Sequence, residues 1–148
     1  LAEEFVERTT CDSLAVACGS VHAMTSREAS LDIDLLKAIR ARVSIPLVLH
    51  GSSGVRHDSV LEAIENGIAK VNVATALNQA LISGIRRAVA ELPDETDPRK
   101  IIGVGREEVK EAVREKIRLF GSAGTIDATG GFTSPRKQFR SAELGEVE

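Results

Sequence analysis

The sequence predicts an α/β fold in which parallel strands are joined by helical crossovers. Two observations carry that prediction. Three short apolar runs, at Leu14–Cys18, Pro46–Leu49 and within "AKVNVAT", are separated by stretches with helical periodicity. Such runs suit strands buried on both faces, and their alternation with helices suits right-handed βα crossovers. The strand starts, near Ser13, Pro46 and Lys70, lie 33 and 24 residues apart. A (β/α)8 TIM barrel of ~250 residues spends ~30 on each unit. About three βα units are therefore present, the C-terminal portion of such a barrel with C-terminal helices added. A small doubly wound sheet shares this order, although no GxGxxG phosphate turn follows any strand.

The elements follow in order. "LAEEFVERTT" places Leu1, Phe5 and Val6 near one helical face, and it opens at Leu1, so the chain reads as beginning inside a fold, as a fragment does. "DSLAVACGS" holds the first strand, closed by Gly19 and Ser20. "SLDIDLLKAIRARV" spaces Leu35, Leu36, Ile39 and Val43 as a helix does. Pro46 fits the first position of the second strand. In "HDSVLEAIENG", Ser59 and Glu62 read as a capping box and Gly67 as a stop. "ALNQALISGIRRAVAEL" aligns Leu77, Leu81, Ile85, Val89 and Leu92 in one stripe. "PDETDP" reads as a loop, and "REEVKEAVREKIRLFG" as a last amphipathic helix with Val109, Val113, Ile117 and Phe120 in register. Its Lys110, Arg114, Lys116 and Arg118 read as a solvated face laced with ion pairs. The Gly-, Ser- and charge-rich remainder reads as disordered.

The totals exclude several function classes. A length of 148 residues with 43% hydrophobic content supports one domain with a sizeable core. A net charge of −3 offers no electrostatic footprint for nucleic acid or an anionic membrane. Four Phe with no Trp or Tyr make base-stacking platforms an unsuitable reading. No apolar run approaches the ~20 residues that span a bilayer, and no secretory leader stands out. Cys11 and Cys18 lack CxxC spacing and read as two reduced thiols of a cytoplasmic protein.

Each strand ends in polar residues that a barrel would turn to one mouth. Gly19, Ser20 and His22 follow the first strand. His50, Gly51, Ser52, Ser53 and Gly54 follow the second, and Asn72 with Thr75 follows the third. Neutral imidazoles suit zinc, yet a strand-end histidine serves equally as a hydrogen-bonded structural residue. Gly-Ser turns let backbone N–H groups approach phosphate, yet "GSSG" also makes a plain turn. Asn72 suits an oxyanion or a substrate hydroxyl, or else a satisfied buried amide. His57 reads as surface.

"CDSLAVACGSVHA", "IPLVLHGSSGV", "GIAKVNVAT" and "REKIRLFGSAG" together resemble the C-terminal half of class II, zinc-dependent ketose-bisphosphate aldolases, the fructose- and tagatose-bisphosphate aldolases. The resemblance runs from Ala2 to Gly124. It implies a partial barrel domain over 1–124, with 125–148 as the tail. It implies zinc ligands at His22 and His50, and a substrate-phosphate site at Gly51, Ser53, Ala74 and Thr75. Asn72 would contact the part of the substrate that becomes the enediolate. A monovalent cation near the glycines also belongs to the family pattern.

The activity implied is aldol cleavage or condensation of a ketose bisphosphate, through dihydroxyacetone phosphate and an aldehyde such as glyceraldehyde 3-phosphate. Zinc acts in it as a Lewis acid. The family's catalytic aspartate and its first zinc-binding histidine have no counterpart in this sequence, so no catalytic base is assigned. The resemblance further implies a homo-oligomer for the complete protein. The sequence departs from the family pattern at Ala23, Ser52 and Ala76. At Ser52 a side chain replaces a glycine, and a positive φ there would be strained. These departures also suit a non-catalytic sugar-phosphate-binding or companion half-barrel.

Overall fold

The computed structural model describes residues 1–20, 28–126 and 131. His22, Ala23 and most of the 125–148 tail therefore lie outside the described residues. The elements are α1 (Ala2–Thr9), β1 (Leu14–Ala15), α2 (Ile33–Arg42), β2 (Leu47–Leu49), α3 (His57–Glu65), β3 (Ile68–Val71), α4 (Thr75–Glu91) and α5 (Pro98–Leu119). The strands form one parallel sheet in the order β1-β2-β3. Three βα units are thus present, with α5 following them.

The central strand, β2, is buried throughout. Leu47 and Leu49 join Val16, Leu36, Val43, Val60, Ala63 and Ile68 in the core between the sheet, α2 and α3. The first strand is shorter than its apolar run. Leu14 and Ala15 alone pair as strand, and beyond them Val16 and Cys18 are buried while Ala15 and Ala17 are exposed. Burial that alternates along this segment is the pattern of a strand covered on one face only, not on both. In β3, Ile68 pairs with Leu47 and Lys70 with Val48, leaving Ala69 as an extra residue between the two pairs. Both Cys11 and Cys18 are free thiols.

Helix starts depend on caps that spacing only partly reveals. Asp32 caps α2 by accepting from the Leu35 N–H at 2.9 Å. The capping-box reading of Ser59 does not hold. Helix α3 starts two residues earlier, at His57, and the buried Ser59 hydroxyl instead accepts the Leu31 N–H at 2.8 Å. Helix α5 begins eight residues before its amphipathic run, with Asp97 as cap and Pro98 at the first position.

Helices α4 and α5 form a hairpin whose contact is set by small residues. Gly84 and Ala88 are the buried positions of α4, and Gly105 that of α5. A Cβ added to Gly84 would lie 2.7 Å from the Gly105 Cα, so the two backbones cross at glycine. The large apolar residues expected to line α4 are partly turned away: Val89 and Leu92 are exposed. Val113 and Ile117 of α5 are exposed as well.

Candidate functional site

A parallel sheet carries the C-terminal ends of all its strands to one side, and the candidate site lies there. Strand β2 ends at Leu49, and the exposed His50 follows. Gly51 then turns the chain with φ 66°, a left-handed conformation that glycine adopts without penalty. One 3-10 turn, Ser52–Gly54, comes next and is closed by the Val55 N–H on the Ser52 carbonyl at 3.1 Å. Ser52 has no positive φ, so the strain expected of a side chain at this position does not arise. Ala29 fastens the far side of the turn: its N–H donates to the Gly54 carbonyl, and its carbonyl accepts from the Arg56 N–H.

The end of β3 is tied to this turn at several atoms. The Asn72 N–H donates to the Leu49 carbonyl at 2.9 Å, carrying the pairing one residue beyond the strand. The Ser52 hydroxyl donates to the Asn72 carbonyl at 2.7 Å. The Asn72 side-chain amide Nδ2 lies 3.0 Å from His50 Nε2. An amide N–H only donates, so in that pairing the imidazole nitrogen is the acceptor.

Helix α4 starts immediately afterwards. Its cap position is Ala74, whose carbonyl accepts from the Leu77 and Asn78 N–H groups at 3.0 Å. Alanine has no side-chain acceptor, and no acidic residue stands in the first turn. The Ser53 hydroxyl accepts the Ala76 N–H at 3.2 Å. The positive end of a 17-residue helix dipole thus lies at the site, and among the described residues the Ser53 hydroxyl from the neighbouring turn attends to it. Between the two chain segments is a cleft of ≈ 260 Å³, lined by His50–Ser53 on one side and Asn72–Thr75 on the other.

Six of the seven expected site residues, His50, Gly51, Ser53, Asn72, Ala74 and Thr75, therefore line one cleft. The seventh, His22, lies outside the described residues. Sequence reasoning missed two neighbours. The sequence marks Ser52 as a departure from the family pattern and gives it no role, yet its hydroxyl joins the two walls. The charge spacing from Lys110 to Arg118 predicts a solvated face, yet the Lys116 side chain is only 12% exposed. Its Nζ lies 3.3 Å from His57 Nε2 and 3.1 Å from Glu115 Oε1, behind the Ser52–Ser53 turn. Only this long-range packing distinguishes it from Lys110 and Arg114, which do pair along the exposed helix surface.

Among the described residues, no group of three or more His, Cys, Asp or Glu side chains converges to hold a metal. Catalytic zinc uses three protein ligands. His50 supplies one imidazole, so the described donors do not by themselves make a zinc site. The carboxylate nearest in sequence, Asp58, is engaged elsewhere. The Arg56 side chain makes two hydrogen bonds to it, and the Ser59 N–H adds a third, together holding its pKa below the ordinary carboxylate value.

The family model for class-II fructose-bisphosphate aldolase matches residues 1–125. Among solved structures, the chain is similar to the YdjI aldolase from Escherichia coli, at 46% identity and TM-score 0.68, over 83% of this chain and 44% of that one. It is similar to a Coccidioides immitis protein assigned as a fructose-1,6-bisphosphate aldolase, at 30% identity and TM-score 0.72, over 83% and 42%. A fructose-bisphosphate aldolase from Campylobacter jejuni shares the fold at 22% identity and TM-score 0.68, over 81% and 44%. The chain spans less than half the length of each of these relatives.

Proposed function

The chain belongs to the class-II fructose-bisphosphate aldolase family, and on that premise we propose that it carries the phosphate-binding part of a ketose-bisphosphate aldolase site. The reaction is zinc-dependent aldol cleavage to dihydroxyacetone phosphate and an aldehyde such as glyceraldehyde 3-phosphate, and its reverse. One observation supports this above the rest. The Gly51–Ser53 turn and the N-terminus of α4, which has no side-chain cap and no acidic residue in its first turn, line one cleft. Backbone N–H groups at a helix start with no competing carboxylate suit a phosphate dianion.

In this reading Gly51, Ser53, Ala74 and Thr75 bind the phosphate. The Ser53 hydroxyl, already accepting from Ala76, donates its own proton to a phosphate oxygen. Asn72 faces the carbon end of the substrate and orients it by hydrogen bonding, which places the reacting carbon. His50 and His22 contribute imidazoles to a zinc site that ligands beyond the described residues complete. Zinc, when bound, supplies Lewis-acid polarisation. The three βα units form the C-terminal portion of a (β/α)8 barrel, and the complete protein is a homo-oligomer. Among the described residues, no helix is long and apolar enough to cross a membrane.

The test is calorimetric titration of the purified chain with dihydroxyacetone phosphate and with inorganic phosphate, beside a zinc titration and an aldol-cleavage assay. The reading expects both phosphate ligands to compete for one site that Ser53→Ala weakens. Absence of binding for both, in the chain that carries the whole cradle, overturns it.

A further inference from the structure

We propose that Ser52 is a positioning residue, which holds Asn72 in the orientation that the carbon end of the substrate requires. The inference rests on the phosphate-cradle reading above and adds a residue to which that reading gives no role.

The two serines of the turn make opposite kinds of contact. Ser53 accepts from the Ala76 N–H and so ties the turn to the first turn of α4. Ser52 donates to the Asn72 carbonyl and so ties the turn to the end of β3. Ser52 is 8% exposed, so water competes little for that bond. Asn72 lies past the last residue of β3, where the sheet fixes it through a single bond, its N–H on the Leu49 carbonyl. Its carbonyl is the other backbone handle, and Ser52 takes it. With both backbone groups held, the Cα–Cβ direction is set, and the side-chain amide lies 3.0 Å from His50 Nε2. Ser52 can do this because the left-handed step of the turn is taken by Gly51, which leaves position 52 open to a side chain.

Removing the Ser52 hydroxyl frees the Asn72 carbonyl but leaves the Ser53–Ala76 tie. The phosphate cradle should survive while Asn72 loses its orientation. Ser52 thereby separates two parts of one site that Ser53 does not.

The experiment uses the metal-free chain and two probes, dihydroxyacetone phosphate and inorganic phosphate. In Ser52→Ala, affinity for dihydroxyacetone phosphate is expected to fall about fivefold to tenfold, the net contribution of one hydrogen bond. Inorganic phosphate is expected to change less than about twofold, within the scatter of a surface substitution. The Asn72 side-chain amide cross-peaks in a 15N–1H spectrum should shift in Ser52→Ala and return in Ser52→Thr. Ser52→Gly serves as a second truncation if Ser52→Ala fails to fold. Equal weakening of both ligands overturns the proposal, because Ser52 would then belong to the cradle. Unmoved Asn72 cross-peaks in the truncations overturn it as well. Failure of the unmodified chain to bind either ligand overturns the cradle reading instead, and the amide cross-peaks still decide whether Ser52 holds Asn72.

Discussion

His50 Nε2 and Asn72 Nδ2 stand 3.0 Å apart across the ends of two neighbouring parallel strands, 22 positions apart in the sequence. The contact turns a nitrogen of the imidazole toward an amide donor, and an imidazole can ligate a metal ion through either ring nitrogen. His57, by contrast, faces Lys116 and Glu115 behind the turn. Zinc affinity measured against a competing chelator should therefore fall more than about tenfold in His50→Ala, since even loss of an outer-shell partner costs that much. His57→Ala should leave it unchanged. Equal effects of the two substitutions would refute a ligand role for His50.

The α4–α5 crossing makes a prediction about two glycines on one helix. A Cβ on Gly105 would lie 2.8 Å from the Leu81 carbonyl oxygen, whereas one on Gly103 would meet nothing within 4 Å. Both substitutions gain about 0.8–1 kcal/mol of helix propensity. Only Gly105→Ala also forces two backbones apart, at a typical overpacking cost of about 1–3 kcal/mol. The urea midpoint should rise for Gly103→Ala and fall for Gly105→Ala, at unchanged slope. A rise in both would mean that the hairpin opens freely.

What was legible in the sequence divides along the same line between local and long-range causes. Apolar runs such as Pro46–Leu49, and helical spacing such as that of Leu36, Ile39 and Val43, encode their elements locally, and the βα order follows from them. The convergence of His50 with Asn72 was legible because parallel strands must end on one side. Ser52 was not legible, since its contact depends on the turn leaving position 52 outside the left-handed region. Ser59 misled for a related reason. Its pattern with Glu62 matches a capping box, but a partner 28 residues away takes the hydroxyl. The α4 stripe held at Leu77, Leu81 and Ile85, which are half-buried, but not at Val89 and Leu92, and the hairpin's closest approach falls on glycine, which carries little hydrophobic signal.

That Ser59 contact is itself testable. Its hydroxyl accepts the Leu31 N–H at 2.8 Å in a buried setting and ties the loop before α2 to α3. Ser59→Ala leaves that N–H without its partner, at a cost of about 1–3 kcal/mol. A serine acting as an exposed cap would also destabilise on removal, so denaturation alone does not separate the two. Amide hydrogen exchange does: the Leu31 N–H should lose protection selectively in Ser59→Ala. Unchanged protection there would remove the tertiary role.

Cys18 links burial to pH. Its side chain is fully buried, and burial, aided by the nearby Asp32 charge, raises its pKa above the ordinary 9.0. Both causes disfavour the thiolate, so the folded chain holds the proton after the unfolded chain has released it. Over that interval the native state binds more protons, and stability falls as pH rises. This contribution is fully present below about pH 9 and is lost as pH climbs through the folded value. Cys18→Ser would flatten the alkaline limb of the stability profile. The same protonation predicts reactivity, because the thiolate is the nucleophile. A disulfide reagent at pH 8 should therefore modify the partly exposed Cys11 first, with Cys18 following only at the rate of unfolding. Equal labelling rates at the two cysteines under native conditions would show that the strand end around Cys18 opens on its own.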